Sequence, residues 1–227
     1  SYNAEKLDNA HTGFRITIKG LKGGHSGMDI HLGRGNANKL LNRVLWTLSK
    51  SIQLRLAAMD GGGLRNAIPR EANAHFAVPT NEISLLESLV EEMRIALSKE
   101  YQTTDPQLAL LLEKKKMMPT CMNLQDQSKL LNVLYACQNG IYRMSPDVEG
   151  LVQTSNNLAR VLVADGEIKV LCLTRGALDS EKDDLANNLE ACFNLMGAEV
   201  KKAGSYPGWA PDPDAKVNHL LTETYKN

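Results

Sequence analysis

The chain has 227 residues, 43% hydrophobic and 23% charged, enough for one large or two small globular domains with a core. Lys plus Arg equals Asp plus Glu at 26 each, so no global field favours nucleic acid or an anionic membrane, and no basic stripe with interleaved aromatics appears. There is no run of about 18 apolar residues to mark a membrane span, and the polar stretch Ser1–Asp8 is no secretory signal. The four cysteines (Cys121, Cys137, Cys172, Cys192) are scattered without a C-x-x-C pair, which predicts buried free thiols in a reducing, cytoplasmic setting. Ser1 in place of an initiator Met predicts a processed or excised chain.

Phe14 to Lys19 alternates apolar and polar residues, the pattern of a half-buried strand. Gly20-Leu21-Lys22-Gly23-Gly24-His25-Ser26-Gly27 follows, with glycine at four of eight positions; such a turn adopts backbone shapes other residues avoid, or lets another group come close. Leu40, Leu41, Val44, Leu45 and Leu48 then recur at helical spacing. Leu54–Ala57 and Ala72–Val78 read as strands around the turn Gly61–Gly63, the second ended by Pro79. Glu82–Glu100 reads as a long amphipathic helix with Asn81 at its cap, and Gln107–Leu112 as a strand. This β-α-β-β-α-β order over residues 13–115 is the ferredoxin-like split βαβ.

Lys114–Lys116 and Pro119 mark a junction. Gln125–Cys137 is predicted helical, stopped by Gly140. Leu151–Ala164 and Ile168–Thr174 are predicted strands around the tight Asp165-Gly166 turn. A helix over Ser180–Met196, with Ser180 and Asp183 as its capping start, precedes a last strand at Glu199–Ala203. Pro207, Pro211 and Pro213 predict an extended segment, with a C-terminal helix from about Ala215. The second half therefore repeats the order of the first without its opening strand. The predicted fold is α+β: two ferredoxin-like two-layer subdomains, residues 12–116 and 117–227, as an internal duplication. The alternative is one continuous sheet decorated with helices.

Several side chains are candidates for chemistry. His25 is either a turn histidine that satisfies local backbone or an imidazole that stabilises an oxyanion. No second ligand stands near it at metal spacing, since Asp29 and His31 belong to the run before the helix. Neither a P-loop nor a G-x-G-x-x-G pattern follows the first strand. Asn66, in Arg65-Asn66-Ala67-Ile68-Pro69, is either an ordinary turn residue or the structural copy of Asn157 in Thr154-Ser155-Asn156-Asn157-Leu158. Arg175 either returns a strand to water or, beside an amide, clamps a carboxylate. Trp209, in Tyr206-Pro207-Gly208-Trp209-Ala210-Pro211, is predicted to anchor a proline-stiffened linker to the core. Glu91-Glu92 reads as solvated helix surface.

Four stretches together, the His25 loop after Phe14–Lys19, Leu64–Glu71, Thr154–Leu158 and Tyr206–Pro211, resemble the lid domain of the aminoacyl-histidine dipeptidases (peptidase D). These belong to the two-zinc metallopeptidase superfamily that includes the carnosinases. The resemblance runs from Phe14 to about Tyr225. It implies a cytoplasmic Xaa-His dipeptidase, with β-alanyl-histidine among its substrates, whose two zinc ions sit in a catalytic domain of the same polypeptide. That domain's His-x-Asp, Asp-Asn and Glu-Glu segments are absent here, so this chain is expected to bind no metal and to be inactive alone. The resemblance implies oxyanion stabilisation by His25 and carboxylate binding by Asn157 and Arg175. In dimeric relatives the lid histidine reaches the partner's site, so a homodimer is a possible partner, and a duplicated lid could instead bring His25 and Asn157/Arg175 together within one chain. The alternative is a non-catalytic dimerisation or small-molecule-binding module. Two departures stand out: Ala159-Arg160 where the family tends to have glycine, and Gly176 where it tends to have serine.

Overall fold

The computed structural model describes residues 1–209, 215 and 224. Eleven strands and four α-helices are present among them: β1 (Ala4–Lys6), β2 (His11–Lys19), β3 (Gly24–His25), α1 (Ala37–Leu48), β4 (Arg55–Gly62), β5 (Ala67–Ile68), β6 (Ala72–Pro79), α2 (Ile83–Glu100), β7 (Ala109–Lys114), β8 (Thr120–Met122), α3 (Leu124–Ala136), β9 (Gly140–Met144), β10 (Val152–Ala164), β11 (Glu167–Gly176) and α4 (Asp179–Asn194).

The alternation in β2 sends Phe14, Ile16 and Ile18 to one face, where they meet Ala72, Ala74, Phe76 and Val78 of β6. Those residues share one hydrophobic cluster with the leucines of α1 and α3, with Leu86, Val90 and Leu97 of α2, and with Leu189 and Phe193 of α4. The four helices therefore cover one face of the sheet. The other face carries Arg15, Thr17, Asn73, His75, Asp60 and Arg160.

Packing decides where α1 sits. Its five aliphatics Leu40, Leu41, Val44, Leu45 and Leu48 are buried, at about 1.5–3 kcal/mol each. The Asn36 cap, which accepts from the N–H groups of Asn38 and Lys39, adds about 1 kcal/mol. The predicted caps of the other helices differ. A short 3-10 turn, Thr80–Glu82, leads into α2 with no side-chain cap bond. In α4, neither Ser180 nor Asp183 caps; the helix begins at Asp179.

The expected split βαβ is present, since β4, β6, β2 and β7 lie side by side in that order. The full path is β11-β10-β4-β6-β2-β7, with β9 also on β10, in one seven-stranded antiparallel sheet. The two halves join where β10 pairs β4, Arg160 opposite Gly62 through Val163 opposite Met59. The sheet is thus continuous across the junction at residues 116–117. No strand forms at Glu199–Ala203. There the side chains reach α4 instead, Lys202 pairing with Glu190 and donating to Asn187, and the backbone joins no ladder. The helix predicted from Ala215 and the prolines 211 and 213 lie outside the described residues, apart from 215 and 224.

All four cysteines are free, Cys121 and Cys137 buried. Burial raises the Cys121 thiol's pKa above the ordinary thiol range, and the adjacent Cys172 thiol together with burial does the same for Cys137.

Candidate functional site

The glycine-rich turn after β2 folds back onto the helix-free side as a two-residue ribbon. Gly24 lies opposite Ile68 and His25 opposite Ala67, and the Ser26 N–H donates to the Asn66 carbonyl at 2.8 Å. Asp29 closes the loop, its Oδ2 accepting from the His25 N–H at 2.7 Å, while Arg34 pairs with Asp29 at 3.7 Å and donates to the Gly23 carbonyl at 2.6 Å. Buried Asp105 holds the base of the loop, accepting from the N–H groups of Lys22 and Gly35 at 2.8 Å each.

His25 is half-buried. Its Nδ1 faces two backbone donors, the N–H groups of Gly27 at 3.2 Å and Met28 at 3.1 Å. Nδ1 is therefore the acceptor, and the ring hydrogen sits on Nε2. The ring is oriented by its own loop and keeps one donor for something else. The reading as a turn histidine that satisfies local backbone is met through Nδ1, and Nε2–H remains a donor with no partner among the described residues.

Arg175 comes from the far end of β11, opposite Ser155. It lies against the His25 loop: a methyl on Gly27 would stand 3.2 Å from both Arg175 Nε and His25 Cε1. The Arg175 Nε donates to Ser26 Oγ at 3.4 Å and its Nη1 to the Tyr206 hydroxyl at 3.3 Å. Among the described residues no carboxylate pairs with it. A groove of about 1180 Å³ runs from Arg175 along β11. Gly27, Arg65, Ser155, Tyr206 and Trp209 are in its wall; His25 itself is not.

Asn157 is placed differently from its expected role. It is 1% exposed, and its Nδ2 donates to the carbonyls of Arg65 at 3.1 Å and Ala67 at 2.8 Å. Its Oδ1 accepts from Asn36 at 3.3 Å. In this geometry the side chain props up the β5 hairpin beneath His25, with both amide hydrogens committed. Asn66 is exposed on that hairpin, so it and Asn157 do not occupy matching places. Trp209 is 82% exposed and does not anchor the linker to the core. Sequence reasoning missed Ser26, Tyr206 and the asparagine network of Asn36, Asn139 and Asn157. Ser26 and Tyr206 lay within stretches that the sequence singled out, but their bonds to Arg175 had no signal; Asn36 had one as a helix cap.

Among the described residues no group of three His, Cys, Asp or Glu side chains could hold a metal ion, so the two zinc ions that the resemblance implies do not fit these residues.

Residues 16–105 match the family model of a peptidase dimerisation domain. The chain is 41% identical over 213 residues to the cytosol non-specific dipeptidase of Escherichia coli (strain K12), a match covering 94% of this chain and 44% of that protein. Residues 16–105 are thus similar to a peptidase dimerisation domain, and nearly the whole chain is similar to part of a dipeptidase. The chain's fold also superposes on aminoacylhistidine dipeptidase from Vibrio alginolyticus with a TM-score of 0.95 at 36% identity, covering 99% of this chain and 46% of that one. The chain spans less than half the length of both relatives.

The two departures have local partners. Ala159 is fully buried at the bulge of β10, and Arg160 beside it donates to Asp60 and to the carbonyls of Gly61 and Gly62, pinning the turn before β5. A Cβ on Gly176 would stand 2.8 Å from the Cβ of Lys182. Gly176→Ser is therefore expected to destabilise the chain by about 1–3 kcal/mol through overpacking, read as a lowered denaturation midpoint. An unchanged midpoint would show that the corner between β11 and α4 yields freely.

Proposed function

We propose that this chain is the lid of a zinc-dependent dipeptidase acting on Xaa-His dipeptides such as β-alanyl-histidine, with the zinc ions held by a catalytic domain in the part of the polypeptide outside this chain. In this reading the His25 Nε2–H donates to the oxyanion that develops on the scissile carbonyl. Arg175 binds the substrate's C-terminal carboxylate through a charge-assisted fork. Asn157 supports the hairpin that carries the loop. The observation behind this reading is an arginine with no carboxylate partner among the described residues, lying against the loop of a histidine whose outer nitrogen is left as a donor. Because one residue comes from each half of the chain, the proximity favours a site assembled in cis.

A dimerisation role is compatible and has its own support in the description of the matched family model. Strands β11 and β7 end the sheet without partners among the described residues, and such edges can pair with another chain.

The test uses the zinc-loaded full-length protein. It is expected to hydrolyse Xaa-His dipeptides, whereas the 227-residue chain alone turns over none. Arg175→Ala is expected to raise KM about tenfold to a hundredfold for a substrate with a free carboxylate, the cost of one or two hydrogen bonds to a charged group, and to leave KM for the C-terminal amide unchanged. An equal rise for acid and amide would sink the assignment of Arg175.

A further inference from the structure

We propose that Tyr206 is a positioning residue that sets the plane of the Arg175 guanidinium, an inference that rests on the carboxylate-binding role of Arg175 given above. A guanidinium grips a carboxylate with two parallel bonds only when its plane is fixed, and a long arginine side chain does not fix its own plane. Here two braces do so, one on Nε and one on Nη1. Ser26, buried in the His25 loop, takes Nε at 3.4 Å, and Tyr206 takes Nη1 at 3.3 Å. Both braces are hydroxyls. They orient the fork without neutralising it, whereas a carboxylate in either place would pair with the arginine and compete with the ligand.

The tyrosine is itself held, by polar bonds rather than by burial. Its carbonyl accepts from Lys182 Nζ at 2.7 Å, and the same ammonium reaches Asp179 at 2.6 Å. Two residues on, the Gly208 N–H donates to the same Asp179 oxygen at 2.8 Å. Asp179 begins α4, where a carboxylate is favoured by the helix dipole. The Lys182 bond, and then the Gly208 N–H, hold its pKa below the ordinary carboxylate range. A side chain on Gly208 would collide with the Ala177 carbonyl, so glycine lets the strap lie this close to the end of β11. Tyr206 is 66% exposed. Core packing does not account for its position; the bonds to Lys182 and Arg175 do.

The experiment compares Tyr206→Phe with the unsubstituted full-length protein on an Xaa-His dipeptide and on its C-terminal amide. Removing the hydroxyl is expected to raise KM for the free acid about five- to tenfold, less than the loss of a hydrogen bond to a charged group because the fork is misaligned rather than removed, with kcat within about twofold. The amide is expected to show no change, and the melting temperature to stay the same because the ring is exposed. Equal effects on acid and amide would overturn the proposal, since a tyrosine acting as a wall or as a structural prop does not distinguish them. No effect on either substrate would overturn it too. Arg175→Ala, run alongside, separates the two levels. If it discriminates acid from amide while Tyr206→Phe does not, Tyr206 loses its role and Arg175 keeps its own. If Arg175→Ala does not discriminate, the carboxylate reading itself falls.

Discussion

His25→Ala in the zinc-loaded full-length protein is expected to lower kcat by about 10²–10³-fold while KM moves little, the loss seen when one oxyanion donor is removed. The geometry behind this is the division of labour between the two ring nitrogens. Nδ1 is committed to the Gly27 and Met28 N–H groups, so rotation of the ring is opposed and Nε2–H points where the loop aims it. A donor of this kind costs nothing to reorganise when charge develops on the substrate. His25→Gln restores a donor but not the rigid acceptor that locks the loop, and is expected to recover only part of the loss. A fall in kcat of threefold or less for His25→Ala would remove the histidine from the chemistry. The same variants address how the site is assembled. With the site assembled in cis, mixing His25→Ala protein with Arg175→Ala protein restores no activity, because each chain spoils its own site. Recovery on mixing would show that the histidine serves a partner's site.

The local pattern made the first half of the fold legible. Phe14 to Lys19 alternates cleanly because β2 is central and one of its faces is buried. The leucines of α1 repeat at helical spacing because they all meet that face. Strand β9 was not legible, because most of its residues are exposed and no apolar alternation marks them. Glu199–Ala203 has the composition of a strand, but a ladder needs a partner and none reaches it. For the candidate site, the histidine loop announced itself through its glycines, whereas Arg175 stood out only through the family resemblance, since a strand end equally fits an arginine returning to water. Which amide or hydroxyl would meet them was hidden. Asn157 is buried only because the hairpin of residues 64–68, some 90 positions earlier, folds over it, and Ser26 meets Arg175 across 149 positions. Such contacts follow from β10 pairing with β4, a register that no local window contains.

The largest stability effect is expected at Asp105, far in sequence from the residues it organises. Its carboxylate is 1% exposed, and each of its oxygens takes one backbone N–H, Oδ1 from Lys22 and Oδ2 from Gly35. These donors flank the His25 loop and the approach to α1. Asp105→Ala leaves one buried and one partly buried N–H without an acceptor, which at about 1–3 kcal/mol for each orphaned group predicts a loss of about 2–5 kcal/mol in unfolding free energy by chemical denaturation. Asp105→Asn decides whether geometry or bulk matters. Asparagine has nearly the same shape, but it supplies one acceptor oxygen, and its amide donor would stand against the second N–H. It is therefore expected to cost nearly as much as alanine, although it fills the same space. If asparagine were neutral, the two-acceptor requirement would be wrong, and one of the two N–H groups would have to find water instead. The placement of His25 should fail together with the stability. Lys22 lies three residues before the histidine, so a loop released at its base no longer holds Nδ1 against its own backbone.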